Sequence, residues 1–187
     1  MKPEILHLYI TDVCTNNCAL CCNKNYDFIN SVKQVTEEEL SSVHTVCLTG
    51  GDPFLEYTKL PEIVNNLRNY SNIKNIYVFT SGYACMLYLK QSKVGLPDIN
   101  GITFSPKSKK DWSALEWLIQ YYDSDIFNLN SNRLYAFINK YDDCNYSINN
   151  SLLDIISDAH FILDCKVFFR TWTDKFESPE NEIFRKL

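Results

Sequence analysis

Six short runs rich in β-branched and aromatic residues, separated by stretches of helical spacing, constrain the fold of this chain more than any other feature. The runs are Ile5–Thr11, 45–49, Asn75–Thr80, 101–105, 133–139 and 166–171, and each ends in a polar turn. Between them the period changes. Thr36 with Glu39 three residues on is a capping box that opens a first helix. A second begins near Lys59 or Pro61, with Leu60, Ile63, Val64 and Leu67 on one face. A third covers 85–91, and a fourth, over 111–121, carries Trp112, Leu115, Leu118 and Ile119 on one side. A fifth covers 151–159 with Leu152, Leu153, Ile155 and Ile156. Strand and helix in alternation imply a parallel sheet with right-handed crossovers. The expected fold is α/β: one domain over 1–187, a partial (βα)6 TIM-like barrel with a parallel sheet. In such folds the ligand sits at the carboxyl ends of the strands.

Charge and composition narrow the partners. The net charge is −5, and the pI near 5.2 lacks the basic balance that a nucleic-acid surface needs. Only Lys107, Lys109 and Lys110 are concentrated. No apolar stretch approaches the roughly 18 residues of a membrane span, and MKPEILHLYITDVC lacks the apolar core and cleavage site of a signal peptide. The expectation is a cytoplasmic protein, with neither nucleic acid nor membrane as partner. In a reducing compartment, clustered cysteines read as metal ligands and scattered ones as small buried hydrophobes. That divides the eight cysteines into a group near residue 20 and the isolated Cys47, Cys85, Cys144 and Cys165.

Cys14, Cys18 and Cys21, in TDVCTNNCALCC, follow the first strand. A cubane [4Fe-4S] cluster takes four thiolates, one per iron, so three well-spaced cysteines leave one iron for a ligand that is not protein. Structural zinc is the alternative, but it wants four tetrahedral protein ligands. Cys22 is badly placed for a fourth, and His7 and His44 have no partner pattern.

The remaining polar turns gather at the same end of the sheet. Strand two ends in Gly50, Gly51, Asp52 and Pro53, strand three in Thr80 and Ser81, and strand four in Ser105, Pro106 and Lys107. Paired glycines allow close backbone approach to a ligand. Asp52 can accept hydrogen bonds from an ammonium group, and Lys107 can pair with a carboxylate. A zwitterionic amino-acid ligand satisfies both. Taken singly, GGDP is also good turn chemistry, FSPK also suits a solvated turn, and Arg170 also suits a salt bridge at the rim.

Taken together, the Cys14, Cys18, Cys21 pattern followed one strand later by GGDP resembles the radical S-adenosylmethionine superfamily. The resemblance spans nearly the whole chain and implies a core domain with a cluster loop at 12–24 and a short C-terminal tail, 172–187, left for substrate recognition. It implies that Cys14, Cys18 and Cys21 hold a [4Fe-4S] cluster and that the methionine amino and carboxylate groups of S-adenosylmethionine chelate the fourth iron. Gly50, Gly51, Asp52 and Pro53 would then form the turn that binds the amino group. Lys107 would take the carboxylate, Ser105 would serve as a ribose or substrate contact, and Thr80 and Ser81 would line the cofactor. Leu20 stands where the family usually has an aromatic residue beside the adenine. Asn139 and Arg170, near the ends of strands five and six, would serve cofactor or substrate, and Cys22 would be a bystander. Reductive cleavage of the sulfonium would yield a 5′-deoxyadenosyl radical, with electrons from a flavodoxin- or ferredoxin-type reductant.

Two groups of small members are similar. 7-Carboxy-7-deazaguanine synthase shares the Ser-Pro-Lys turn and the six-strand order, and Asn23 could supply an oxygen to Mg2+ as that group does with a Thr. The activating enzymes of glycyl-radical proteins, such as that of anaerobic ribonucleotide reductase, share GGDP and the Asn23-Lys24 pair. The first implies a small-molecule substrate, the second a protein. A non-catalytic iron–sulfur electron carrier or scaffold is the alternative of another class, and it has no use for an amino-acid pocket.

Overall fold

The computed structural model describes residues 4–18, 21–25, 28–92, 95–120, 129, 131–137, 150–171 and 180–187. In chain order the elements are β1 (Ile5–Thr11), α1 (Cys22–Asn25), α2 (Phe28–Ser31), α3 (Glu37–Leu40) and β2 (Thr45–Gly50). A 3-10 turn, Pro53–Leu55, leads to α4 (Lys59–Arg68), β3 (Asn75–Thr80), α5 (Tyr83–Gln91), β4 (Gly101–Phe104) and α6 (Lys109–Gln120). The chain closes with β5 (Asn132–Phe137), α7 (Asn150–Ile162), β6 (Cys165–Arg170) and β7 (Glu182–Lys186).

The strands form one open sheet in the order β6-β5-β4-β3-β2-β1-β7. Every pairing is parallel. The alternation that predicts six strands holds, and the six lie side by side in sequence order as a partial barrel requires. A seventh strand lies beyond the expected six: residues 182–186, within the C-terminal tail, pair with β1, Ile5 opposite Glu182 and Tyr9 opposite Lys186. Arg185 fastens it further, its Nε and Nη2 both reaching Glu39 Oε1 at 2.7 and 2.6 Å. Glu39 is also the third helical residue of the capping box that starts α3, where Thr36 Oγ1 accepts the Glu39 N–H and Glu39 accepts the Thr36 N–H.

One face of the sheet supplies the core. Leu6, Leu8, Val46, Leu48, Ile76, Val78, Ile102, Phe104, Leu134 and Ala136 are fully buried in one cluster with the helix residues Leu60, Ile63, Val64, Leu67, Trp112, Leu115, Leu118 and Ile119. Each such aliphatic side chain contributes about 1.5–3 kcal/mol of burial. The fifth expected helix is less one-sided than its sequence implies: Leu152 and Ile156 are buried, whereas Leu153 is exposed. Along the other face runs a band of rings. His7 stacks on Phe184 at 4.5 Å and touches Phe79; Phe79 meets Tyr135, and Tyr135 meets Phe168.

The amino ends of the strands are sealed by asparagines. Asn100 Oδ1 accepts the Ile76 N–H at 2.8 Å, and Asn132 accepts from the Ile102 N–H and donates to the Leu163 carbonyl. Free backbone groups are thereby satisfied at that end, and the unpaired polar chemistry lies at the other. Leu48→Ala, at the centre of the packed face, should lower unfolding stability by roughly 2–5 kcal/mol in urea titration. Thr36→Ala should cost about 1 kcal/mol through loss of the cap.

Candidate functional site

The site is built where the cysteine loop leaves β1 and the glycine turn leaves β2. Thr11 closes β1 with its hydroxyl donating to Glu56 Oε1 at 2.6 Å and accepting the Val13 N–H at 3.1 Å. The turn after β2 then clamps onto the same segment. The Gly51 N–H donates to the Thr11 carbonyl at 2.6 Å, and the Asp52 N–H to the Val13 carbonyl at 2.8 Å. A Cβ on Gly50 would overlap the Thr11 carbonyl oxygen, and one on Gly51 the Val13 carbonyl oxygen. Gly50 in addition has φ +125°, which side-chain-bearing residues rarely adopt. The sequence reading assigns these glycines to a ligand's approach. The backbone they admit is that of the cysteine loop.

Asp52 sits at the middle of this arrangement, 1% exposed. Its Oδ2 accepts from Thr80 Oγ1 at 2.9 Å, the Ser81 N–H at 2.9 Å and Ser81 Oγ at 3.0 Å. Oδ1 is buried and has no hydrogen-bond partner among the described residues. Burial pushes the carboxyl up to about 6, against the pull of the Ser81 N–H, the two hydroxyls and the Phe54 N–H. An unpaired oxygen on a buried carboxylate is costly, and a cation placed against it would remove the cost. Thr80 and Ser81 therefore act on Asp52.

Cys14, Cys18 and Cys21 form no disulfide and are exposed or half-buried, whereas Cys47, Cys85 and Cys165 are buried as scattered cysteines should be. The Asn16 N–H points at Cys14 Sγ, 3.4 Å away. Partial burial raises the Cys14 thiol pKa; the Asn16 bond and the charge of Lys107 pull it down, while Asp52 and Cys21 push it up. Cys14 and Cys21 follow β1, Asp52 follows β2 and Lys107 follows β4, so all four lie at the carboxyl end of the parallel sheet. Among the described residues, no three His, Cys, Asp or Glu side chains converge closely enough to hold a metal ion. The loop's own bonds are few, Cys21 N–H to the Cys18 carbonyl at 3.2 Å and Lys24 N–H to the Cys21 carbonyl at 3.0 Å, and metal sites of this kind are completed by the metal itself. Three cysteine thiols at the mouth suit an iron–sulfur cluster, and the Asp52 oxygen that has no partner among the described residues suits an amino group.

Ser105 is buried, its N–H bonded to the Thr80 carbonyl, and Lys107 Nζ reaches the Ser105 carbonyl at 3.3 Å. Pro53 is buried at the start of the 3-10 turn. Arg170 lies apart, on β6, with its guanidinium 3.8 Å from the centre of the Tyr135 ring. Among the described residues Arg170 makes no salt bridge. Leu20, Asn139, Cys144 and Trp172 lie outside the described residues. Nothing supports Mg2+ at Asn23, whose amide nitrogen donates to the Gly50 carbonyl at 2.7 Å and ties the helix after the cysteines to the glycine turn.

Sequence reasoning misses two further ties. Asn16 Nδ2 donates to Asp111 Oδ2 at 2.9 Å, and Lys110 Nζ to the Thr15 carbonyl at 3.0 Å while lying over the Tyr83 ring. Both join positions 95 residues apart. The only signals in the chain are a polar residue between two cysteines and charges in the first turn of an expected helix.

Residues 5–100, just over half of the chain, match the 4Fe-4S single cluster domain family. The chain belongs to that family. Its matched span covers β1 through α5 and so contains all three loop cysteines, the glycine turn, Thr80 and Ser81. No curated protein matches the chain. Among solved structures, Streptococcus suis SuiB, crystallised bound to S-adenosylmethionine, is similar over 92% of this chain and 48% of its own, with 14% identity and a TM-score of 0.44. The chain spans about half the length of SuiB. Among the described residues no helix is long and apolar enough to cross a membrane.

The raised Asp52 pKa carries a stability consequence for this 4Fe-4S single cluster domain. Between the unfolded value of 3.8 and the folded value of about 6, the native state holds a proton that the unfolded state has lost. Stability therefore falls as pH rises through that window, by about 3 kcal/mol in total. Asp52→Asn should remove this component. Urea titrations at pH 4 and pH 7 check it: the stability of the variant relative to the wild type should rise with pH.

Proposed function

We propose that this protein is a radical S-adenosylmethionine enzyme. The observation that carries the reading is the buried Asp52 Oδ1, which has no hydrogen-bond partner among the described residues, beside a loop of three cysteines that form no disulfide, in a family defined by a single 4Fe-4S cluster. Cys14, Cys18 and Cys21 would hold three irons. Asp52 would receive the methionine amino group, with Thr80 and Ser81 keeping its other oxygen fixed. Lys107 would take the methionine carboxylate, and Ser105 the ribose side. When bound, the cluster and S-adenosylmethionine supply one-electron cleavage of the sulfonium and a 5′-deoxyadenosyl radical that takes hydrogen from a substrate. The chain's own task is to orient the cofactor and exclude water from it, with electrons delivered by a flavodoxin- or ferredoxin-type protein.

A small-molecule substrate, as for 7-carboxy-7-deazaguanine synthase, suits the band of rings His7, Phe79, Tyr135 and Phe168 and the guanidiniums of Arg133 and Arg170, which lie over Tyr77 and Tyr135. One observation favours a protein substrate instead, such as a glycyl-radical enzyme: Phe161 on α7 and Phe169 on β6 are 79% and 56% exposed. An electron carrier would have no use for a buried carboxylate with an open oxygen.

Anaerobic reconstitution, dithionite and S-adenosylmethionine should release 5′-deoxyadenosine, measured by chromatography. A fully loaded cluster that never releases it sinks the enzyme reading. Alanine at Cys14, Cys18 or Cys21 should abolish cluster loading, and Cys22→Ala should not. Stimulation of cofactor cleavage by a small molecule or by a protein partner separates the two substrate classes.

A further inference from the structure

Asp111 is a buried carboxylate that the site as described does not use. It stands in the first turn of α6 and is fully buried. Its Oδ2 accepts three hydrogen bonds: Ser108 Oγ at 2.8 Å, the Lys107 N–H at 3.1 Å and Asn16 Nδ2 at 2.9 Å. Oδ1 is buried with no partner among the described residues. Helix capping accounts for the first two bonds. Capping does not explain the third, which crosses to the cysteine loop.

Asn16 has two ends. Its side-chain amide is held by Asp111, and its backbone N–H is aimed at Cys14 Sγ. The other Asp111 contact is the backbone of Lys107. We propose that Asp111 is a positioning residue that fixes the cysteine loop and the Lys107 turn to one anchor. Through Asn16 it sets the N–H···S bond to the first cluster ligand, and through Lys107 it sets the cation that receives the cofactor carboxylate. The second arm rests on the radical S-adenosylmethionine reading, and the first needs only a cluster on these cysteines. A hydrogen bond to a ligand sulfur stabilises the reduced, more negative cluster and so raises its reduction potential. Loosening Asn16 must lower that potential.

The test is an anaerobic redox titration of the reconstituted full chain, followed by electron paramagnetic resonance and run without S-adenosylmethionine. Asp111→Asn and Asp111→Ala both remove the charge, but only Asp111→Asn keeps an oxygen to which Asn16 can donate. The midpoint of Asp111→Ala should be more negative than that of Asp111→Asn, and that of Asn16→Ala more negative than wild type. The double variant Asn16→Ala/Asp111→Ala should shift no further than Asp111→Ala, because both act through one bond. The KM for S-adenosylmethionine should be about tenfold higher in Asp111→Ala than in Asp111→Asn. Equal midpoints for the two Asp111 variants, or a wild-type midpoint for Asn16→Ala, would overturn the proposal. If Asp111→Ala loads no cluster, Asn16→Ala decides alone, a negative shift supporting and an unchanged midpoint refuting. A wild type that titrates normally yet cleaves no cofactor would sink the functional reading and leave the anchor standing.

Discussion

A carboxylate removed from water must be either matched by donors or neutralised, and Asp52 is only half matched. Three donors from the end of β3 crowd Oδ2 while Oδ1 has no hydrogen-bond partner among the described residues. The backbone that holds Asp52 there is itself clamped to the start of the cysteine loop by the Gly51 and Asp52 N–H groups. The loop, the glycine turn and the end of β3 thus form one hydrogen-bonded unit around a charge awaiting a cation. Displacing any of the three would uncover or over-bury that charge.

The two ends of the sheet divide the labour of stability and function. Asparagines close the amino ends by substituting for missing backbone partners, which lets the strands start inside the protein without cost from bare N–H groups. The carboxyl ends carry Asp52, Ser81, Ser105 and Lys107, residues whose polar groups are poised by short turns rather than by regular structure. Cysteines follow the same division. Cys47, Cys85 and Cys165 are buried, with the thiols of Cys47 and Cys165 pushed up to about 12 by burial, and Cys14, Cys18 and Cys21 in the loop stay accessible. A thiol held protonated is a poor ligand.

Much of this was legible in the chain because it is local. The six strand runs, the Thr36–Glu39 box and the apolar faces of α4 and α6 each arise from residues within a few positions of one another. The order of motifs along the chain placed the site, since a parallel sheet brings successive strand ends together. What escaped is non-local. EIFRK has the composition of a strand but follows a polar tail, and only pairing with β1 and the Arg185 contacts to Glu39 make it one. Gly50 and Gly51 were recognisable as places of close approach, though not for which chain. The Asn16–Asp111 bond joins two ordinary polar residues, and no pattern in a single sequence links them.

The claim on which all else turns is that the fourth iron of a cluster on Cys14, Cys18 and Cys21 receives the amino group of S-adenosylmethionine beside Asp52. Electron–nuclear double resonance of the reduced cluster, with 15N in the methionine amino group of the cofactor, measures this directly. A nitrogen coupling that appears in the wild type and is lost or weakened in Asp52→Asn is the expected result. A reduced, fully loaded cluster with no nitrogen coupling in the presence of saturating cofactor would contradict it.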